Sequence, residues 1–247
     1  MSAVSTITAN AILNRVAVEV GFDPDSDPYA SSEQHFRQMT YLLQTCGEEL
    51  ALAYQWEILN KAYQVTTQDT DSGNYPLPQN FHYMIPQTGW ERAENVPLFG
   101  PLSAQDWTYL LGRDLVSYTI YASFRIKDGQ FSIFPQPPPN GLDINFEYQS
   151  QDWVQDGDDP DVQKATVEQG NDVPLYDRTL ITRMLKLKWL EAKGFDTTAP
   201  QADFNQVFGF LTGKDKAGGE IISAGGRRVG FPYLNGFRNT PDTGYGQ

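Results

Sequence analysis

Four aspartates, Asp156, Asp158, Asp159 and Asp161, fall close together, and clustered carboxylates are what a hard cation such as calcium takes as ligands. An EF-hand loop needs glycine at its sixth position and glutamate at its twelfth; counted from Asp156, those positions hold Asp161 and Val167. The spacing therefore reads as a solvated acidic loop. Cys46 sits on the apolar stripe of a helix, where burial raises a thiol's pKa and leaves it inert, so it reads as a core residue. His35 and His82 fall in different elements with no carboxylate partner by spacing, and with one cysteine they cannot assemble a zinc cluster. Glu91, Glu94 and Asp106, near several aromatics, are the residue types that glycoside hydrolysis pairs, although surface and capping roles are the commoner use of such carboxylates. Gly-x-Ser-x-Gly, a phosphate-binding glycine loop and a dinucleotide fingerprint are all missing. The reading assigns no catalytic residue, no cofactor and no metal.

The elements that position these residues begin with a helix over 8–20, ended by Gly21. Ser31 and Gln34 then predict a capping box, and Phe36, Met39, Leu43, Cys46, Leu50 and Ala53 recur at spacings of three and four, predicting one long helix to about Leu59. Between 61 and 149 the period changes to the alternation of strands, at 62–67, 118–126, 130–134 and 142–148, with Asp128-Gly129 as a hairpin turn and a short helix capped by Ser103. Prolines crowd this region and limit regular ladders. Helicity resumes after Pro174 with Leu180, Ile181, Met184, Leu185, Leu187 and Trp189 on an apolar face, stops at Gly194, and returns over 199–211.

The last residues differ in kind. From Gly213 onward glycines are too frequent for a packed element, and Lys214, Lys216, Arg227, Arg228 and Arg238 outnumber Asp215, Glu220 and Asp242. That stretch carries +2 and leaves −15 for the body of a chain whose total is −13. Phe231, Tyr233, Leu234 and Phe237 have no use in an inert linker, so this arm is expected to order against a partner. The expected architecture is α+β: a helical bundle of about four helices (1–60 and 173–212), a β-rich insertion (61–153), an acidic connector (154–172) and a long flexible C-terminal arm (213–247). Its acidity argues against wrapping nucleic acid through a basic surface. No run is long and apolar enough for a membrane helix and the start lacks a signal-peptide pattern, so a soluble chain with no membrane partner is expected.

One block is more specific than composition: Leu77-Pro78-Gln79-Asn80-Phe81-His82-Tyr83-Met84-Ile85, then Thr88-Gly89-Trp90-Glu91-Arg92, then Pro97-Leu98-Phe99-Gly100-Pro101-Leu102-Ser103-Ala104-Gln105-Asp106-Trp107. It resembles the bacteriophage head-to-tail adaptors, the head-completion, tail tubular protein A or tail accessory factor type. Trp90, Trp107, Phe81 and Phe99 are expected to anchor its β-rich part.

The resemblance implies a structural, non-enzymatic virion protein of the neck or tail, assembled in the host bacterial cytoplasm. It implies a homo-oligomeric ring of about a dozen copies, docked on the portal protein and meeting a tail tube or nozzle protein, through which DNA passes without specific binding. Arg227, Arg228, Phe231, Tyr233 and Phe237 of the arm are the expected portal-binding residues. Two rival readings stay open at this level: a virion-associated glycan hydrolase and a β-sandwich carbohydrate-binding module.

Overall fold

The computed structural model describes residues 7–93, 95–112 and 123–217. These form two compact units. Of the described residues, the first draws on those within 7–60, 80–82 and 149–217, and the second on those within 61–79 and 83–148.

Thr8 caps α1 (Ala9–Glu19) by accepting a hydrogen bond from the amide of Ala11, and Gly21, at φ +90°, turns the chain away after it. Ile12, Leu13 and Val16 of α1 are fully buried. α2 (Gln34–Ala53) buries Phe36, Met39, Leu43, Cys46 and Leu50 on one stripe. It starts and stops short of expectation. Ser31 lies two places before the N-cap residue Glu33 and accepts from the Glu33 amide at 3.4 Å, so no capping box forms. At the other end the Trp56 indole N–H donates to the Leu50 carbonyl at 2.7 Å, satisfying a helix-end acceptor from outside the helix. A short 3₁₀ turn, Glu57–Leu59, follows.

α4 (Arg178–Lys193) is capped by Asp177, which accepts from the Thr179 amide, and ends at Gly194 in the left-handed region. It packs on α1, α2 and α5 (Thr198–Ala217). α5 runs straight through Gly213, because Phe204, Val207, Phe208 and Leu211 hold its inner face on the core cluster. Residues 213–217 are therefore helix, and the portion of the expected arm beyond them lies outside the described residues.

One sheet, most of whose residues belong to the second unit, orders β1 (Asn60–Thr66), β8 (Asp143–Ser150), β4 (Trp90–Glu91) and β5 (Val96–Pro97), with β3 (Phe81–Met84) also paired to β8. A second sheet orders β2 (Asn74–Pro76), β7 (Gln130–Phe134) and β6 (Ser123–Lys127). The β6–β7 hairpin turns through Asp128 and Gly129, both at positive φ, as a tight hairpin requires. Residues 118–122 of the strand expected there lie outside the described residues. The core is a stack of Phe124 on Phe131, Phe131 on Phe146 and Phe146 on Tyr63, with ring centroids 4.8–5.2 Å apart. Of the expected anchors, Trp107 in α3 (Ala104–Gly112) is buried, Trp90 and Phe81 are half-buried, and Phe99 is 65% exposed.

The expectation of a four-helix bundle carrying a β-rich insertion is corrected by these elements. Among the described residues there are five α-helices and eleven strands in three antiparallel sheets, about 39% helical and 22% strand, a mixed α+β chain. Part of the difference is β9 (Val154–Gln155), β10 (Gln163–Lys164) and β11 (Val173–Pro174), which order β10-β9-β11 where a solvated connector was expected.

Candidate functional site

That third sheet organises the acidic segment around one cation. The Lys164 ammonium lies 2.9 Å from Asp156, 3.0 Å from Asp172 and 3.4 Å from Glu168. The Asp172 side chain is wholly inaccessible to solvent. It also accepts from the amides of Glu168 at 2.7 Å, Gln169 at 2.9 Å and Gly157 at 3.2 Å, so its lone pairs are met without water. Burial pushes the Asp172 carboxyl up, but those amides and Lys164 outweigh it and hold the group below the usual aspartate range. Lys164 balances in the same way: burial pulls its pKa down, and the carboxylates of Asp156 and Asp172 push it above the ordinary lysine value. The Lys164 ammonium, with amides of Asp158 and Asp159, lowers Asp156.

Sequence reasoning missed this because it weighed the aspartates against a metal and not against Lys164. The available signal was a lone lysine amid the acidic run.

With Asp156 and Asp172 turned inward, Asp158, Asp159 and Asp161 are left exposed. Short side-chain turns fix the loop that carries them: Asp156 accepts from the amides of Asp158 and Asp159, and Asp159 from that of Asp161. The other end of the segment is pinned to α2, where Gln44 donates to the Ala165 carbonyl and accepts from the Val167 amide. The arrangement presents fixed negative charge. Among the described residues no group of three or more His, Cys, Asp or Glu side chains is placed to hold a metal ion.

The other candidates separate. Cys46 is fully buried and its thiol is pushed up by burial. His35 stacks on Phe22 at 4.2 Å and lies 3.3 Å from Glu33, and His82 is half-buried on β3. Glu91 is buried and accepts from the amides of Ala93 at 2.9 Å and Asp143 at 3.0 Å, a role that ties β4 to the start of β8. Asp106 accepts from the Ser103 hydroxyl at 2.7 Å while its amide donates back at 3.1 Å, which caps α3. Glu94 lies outside the described residues. So do Arg227, Arg228, Phe231, Tyr233 and Phe237.

No protein-family model matches the chain, and no curated protein matches it significantly. Among the described residues no helix is long and apolar enough to cross a membrane.

Proposed function

We propose that this chain is a structural head-to-tail adaptor of a phage virion, forming a ring that docks on the portal and continues the DNA channel toward a tail tube or nozzle protein. The reading starts from the resemblance carried by Leu77 to Trp107. The observation that supports it best is the construction of the acidic segment. A surface along which DNA moves must not hold it, and fixed carboxylates repel phosphates where lysines and arginines would release counterions and bind. Lys164 spends its charge on the interior of the segment, so Asp158, Asp159 and Asp161 face outward without a compensating cation among the described residues. The adaptor acts in the neck or tail of the virion, after assembly in the bacterial cytoplasm, and the arm residues Arg227, Arg228, Phe231, Tyr233 and Phe237 make its portal contact.

Low-resolution images of particles labelled on this chain test the reading. A ring of about a dozen copies beneath the portal is the expected result. Label elsewhere on the particle, or clearing of peptidoglycan that Glu91→Gln or Asp106→Asn abolishes, overturns it.

A further inference from the structure

α1 and α4 end in the same way. Past α1, Gly21 at φ +90° donates its amide to the Val18 carbonyl at 3.2 Å and Phe22 donates to Ala17 at 2.9 Å. Past α4, Gly194 at φ +74° donates to Glu191 at 3.0 Å and Phe195 to Leu190 at 3.0 Å. In each cap a left-handed glycine lets its own amide and the next one close the last turn, which fixes the backbone of the phenylalanine that follows. Both phenylalanines border one groove of the first unit, together with Val20, Trp189, Leu190 and Lys193. Its floor is held from several sides. The Trp189 ring meets Phe22 at right angles, with centroids 5.8 Å apart, and the Lys193 ammonium lies 4.4 Å above it while donating to Gln38 at 2.8 Å. Phe22 in turn stacks on His35 at 4.2 Å. Yet Phe22 stays 37% and Phe195 62% exposed. Rigid aromatic side chains around an apolar floor are the composition of an energetic anchor, and here they face water.

We propose that in the free chain this groove holds the chain's own C-terminal arm, with Phe231 and Phe237 seated against Phe22 and Phe195. The length of chain beyond α5 and the place where α5 ends carry the choice of occupant. α5 starts three residues past Phe195 and ends beside Glu57, whose amide donates to Asp215, so the arm leaves the helix about 30 Å from the groove. Phe231 lies 14 residues beyond Ala217 and can reach about 46 Å, which spans that distance with slack. Phe231, Tyr233, Leu234 and Phe237 then bring four large apolar side chains within seven residues, and burying them removes that surface from water. A tether of this length holds the arm near its own groove at an effective concentration of about 1 mM, so its own arm outcompetes that of a second copy in dilute solution. The arm therefore has two exclusive places, the groove in the free chain and the portal in the virion. Its transfer from one to the other rests on the adaptor reading; its docking in the groove does not.

The test is crosslinking within the free chain. Val20→Cys places a thiol at the groove and Asn235→Cys places one in the arm, while native Cys46 is buried and silent. The dilute double variant is treated with a short bismaleimide and read by mobility and peptide mass. A 20–235 link within single chains is expected. Adding Phe231→Ser and Phe237→Ser should lower its yield at least about fivefold. Leu52→Cys paired with Asn235→Cys is the control for a tether that merely wanders: Leu52 is exposed and lies two residues from Tyr54, which donates to Thr212 near the end of α5. That pair should link poorly. Circular dichroism of each variant checks that the fold is kept.

A Leu52 pair that links as readily as the Val20 pair, or a 20–235 link indifferent to the loss of Phe231 and Phe237, overturns the docking. Covalent dimers in place of linked single chains overturn it in favour of a second copy's arm. Portal rings added before the reagent should suppress the link in the chains they bind, and a bound chain that keeps its full yield overturns the transfer. A chain that links within itself but binds no portal ring overturns the adaptor reading and leaves the docking standing.

Discussion

Gly47 shows how a single position can be fixed by a partner distant in sequence. A glycine inside a helix costs about 1 kcal/mol relative to alanine, yet here a Cβ would fall within the Trp153 indole, and the Gly47 carbonyl also accepts from the Tyr176 hydroxyl at 3.1 Å. Gly47→Ala should therefore destabilise the chain by about 1 to 3 kcal/mol in chemical denaturation, against the sign its helix propensity predicts. Unchanged or increased stability would mean that Trp153 does not pack there.

The Lys164 cluster makes a second prediction at this scale. Asp156 and Asp172 are depressed in the folded chain, so the stability they contribute is complete above the unfolded aspartate value of about 4 and is lost as pH falls through their folded values. Lys164 is raised, so its contribution is complete below the unfolded lysine value of about 10 and is lost only as pH climbs past the folded one. Asp172→Ala leaves three amides without their acceptor and the Lys164 ammonium with only Asp156 and Glu168, and should cost about 3 to 5 kcal/mol at neutral pH. Its penalty should shrink as acid protonates Asp172 in the wild type. A penalty that stays constant down to low pH would show that the carboxylate charge is not what stabilises the segment.

At the scale of elements, Leu43 and Leu50 are fully buried on the face of α2 that joins the first unit's core. Leu43→Ala and Leu50→Ala should each cost about 2 to 5 kcal/mol, read from the denaturation midpoint. Unaltered midpoints in both would place that face against something other than this core. The helices were legible in the sequence because many turns repeat the same three-or-four spacing and because Gly21 and Gly194 mark their ends. The β6–β7 turn was legible because Asp128-Gly129 states its backbone geometry in two residues.

Two-residue strands such as β4, β5, β9, β10 and β11 were not legible, since alternation cannot be read from two positions. The acidic segment misled for a related reason: its composition describes charge, whereas its folding depends on where Lys164 puts one ammonium. The end of α5 was misplaced because Gly213 was weighed by propensity, and packing of Phe208 and Leu211 on the core carries the helix past it. For the candidate site, the exposed aspartates were legible, while the inward turn of Asp156 and Asp172 emerges only once the partners of Lys164 are known.

At the scale of the whole molecule, a charge of −13 sets how copies meet. Copies of an acidic body repel at low salt, so light scattering of the dilute, isolated chain should report a species near 27.8 kDa. A stable ring without a portal would contradict this. The boundary for removing the arm follows from α5: a variant ending at Ala217 keeps every described helix and strand and removes Arg227, Arg228, Phe231, Tyr233 and Phe237. Its circular dichroism should match the full chain. An unfolded variant would show that residues beyond 217 belong to the fold.

The central claim is most directly tested by mixing the full chain with purified rings of the cognate portal protein and weighing the product. The account predicts a discrete complex heavier than the portal ring by about a dozen copies, absent when the chain ends at Ala217. A portal ring whose mass is unchanged by the full chain would contradict it.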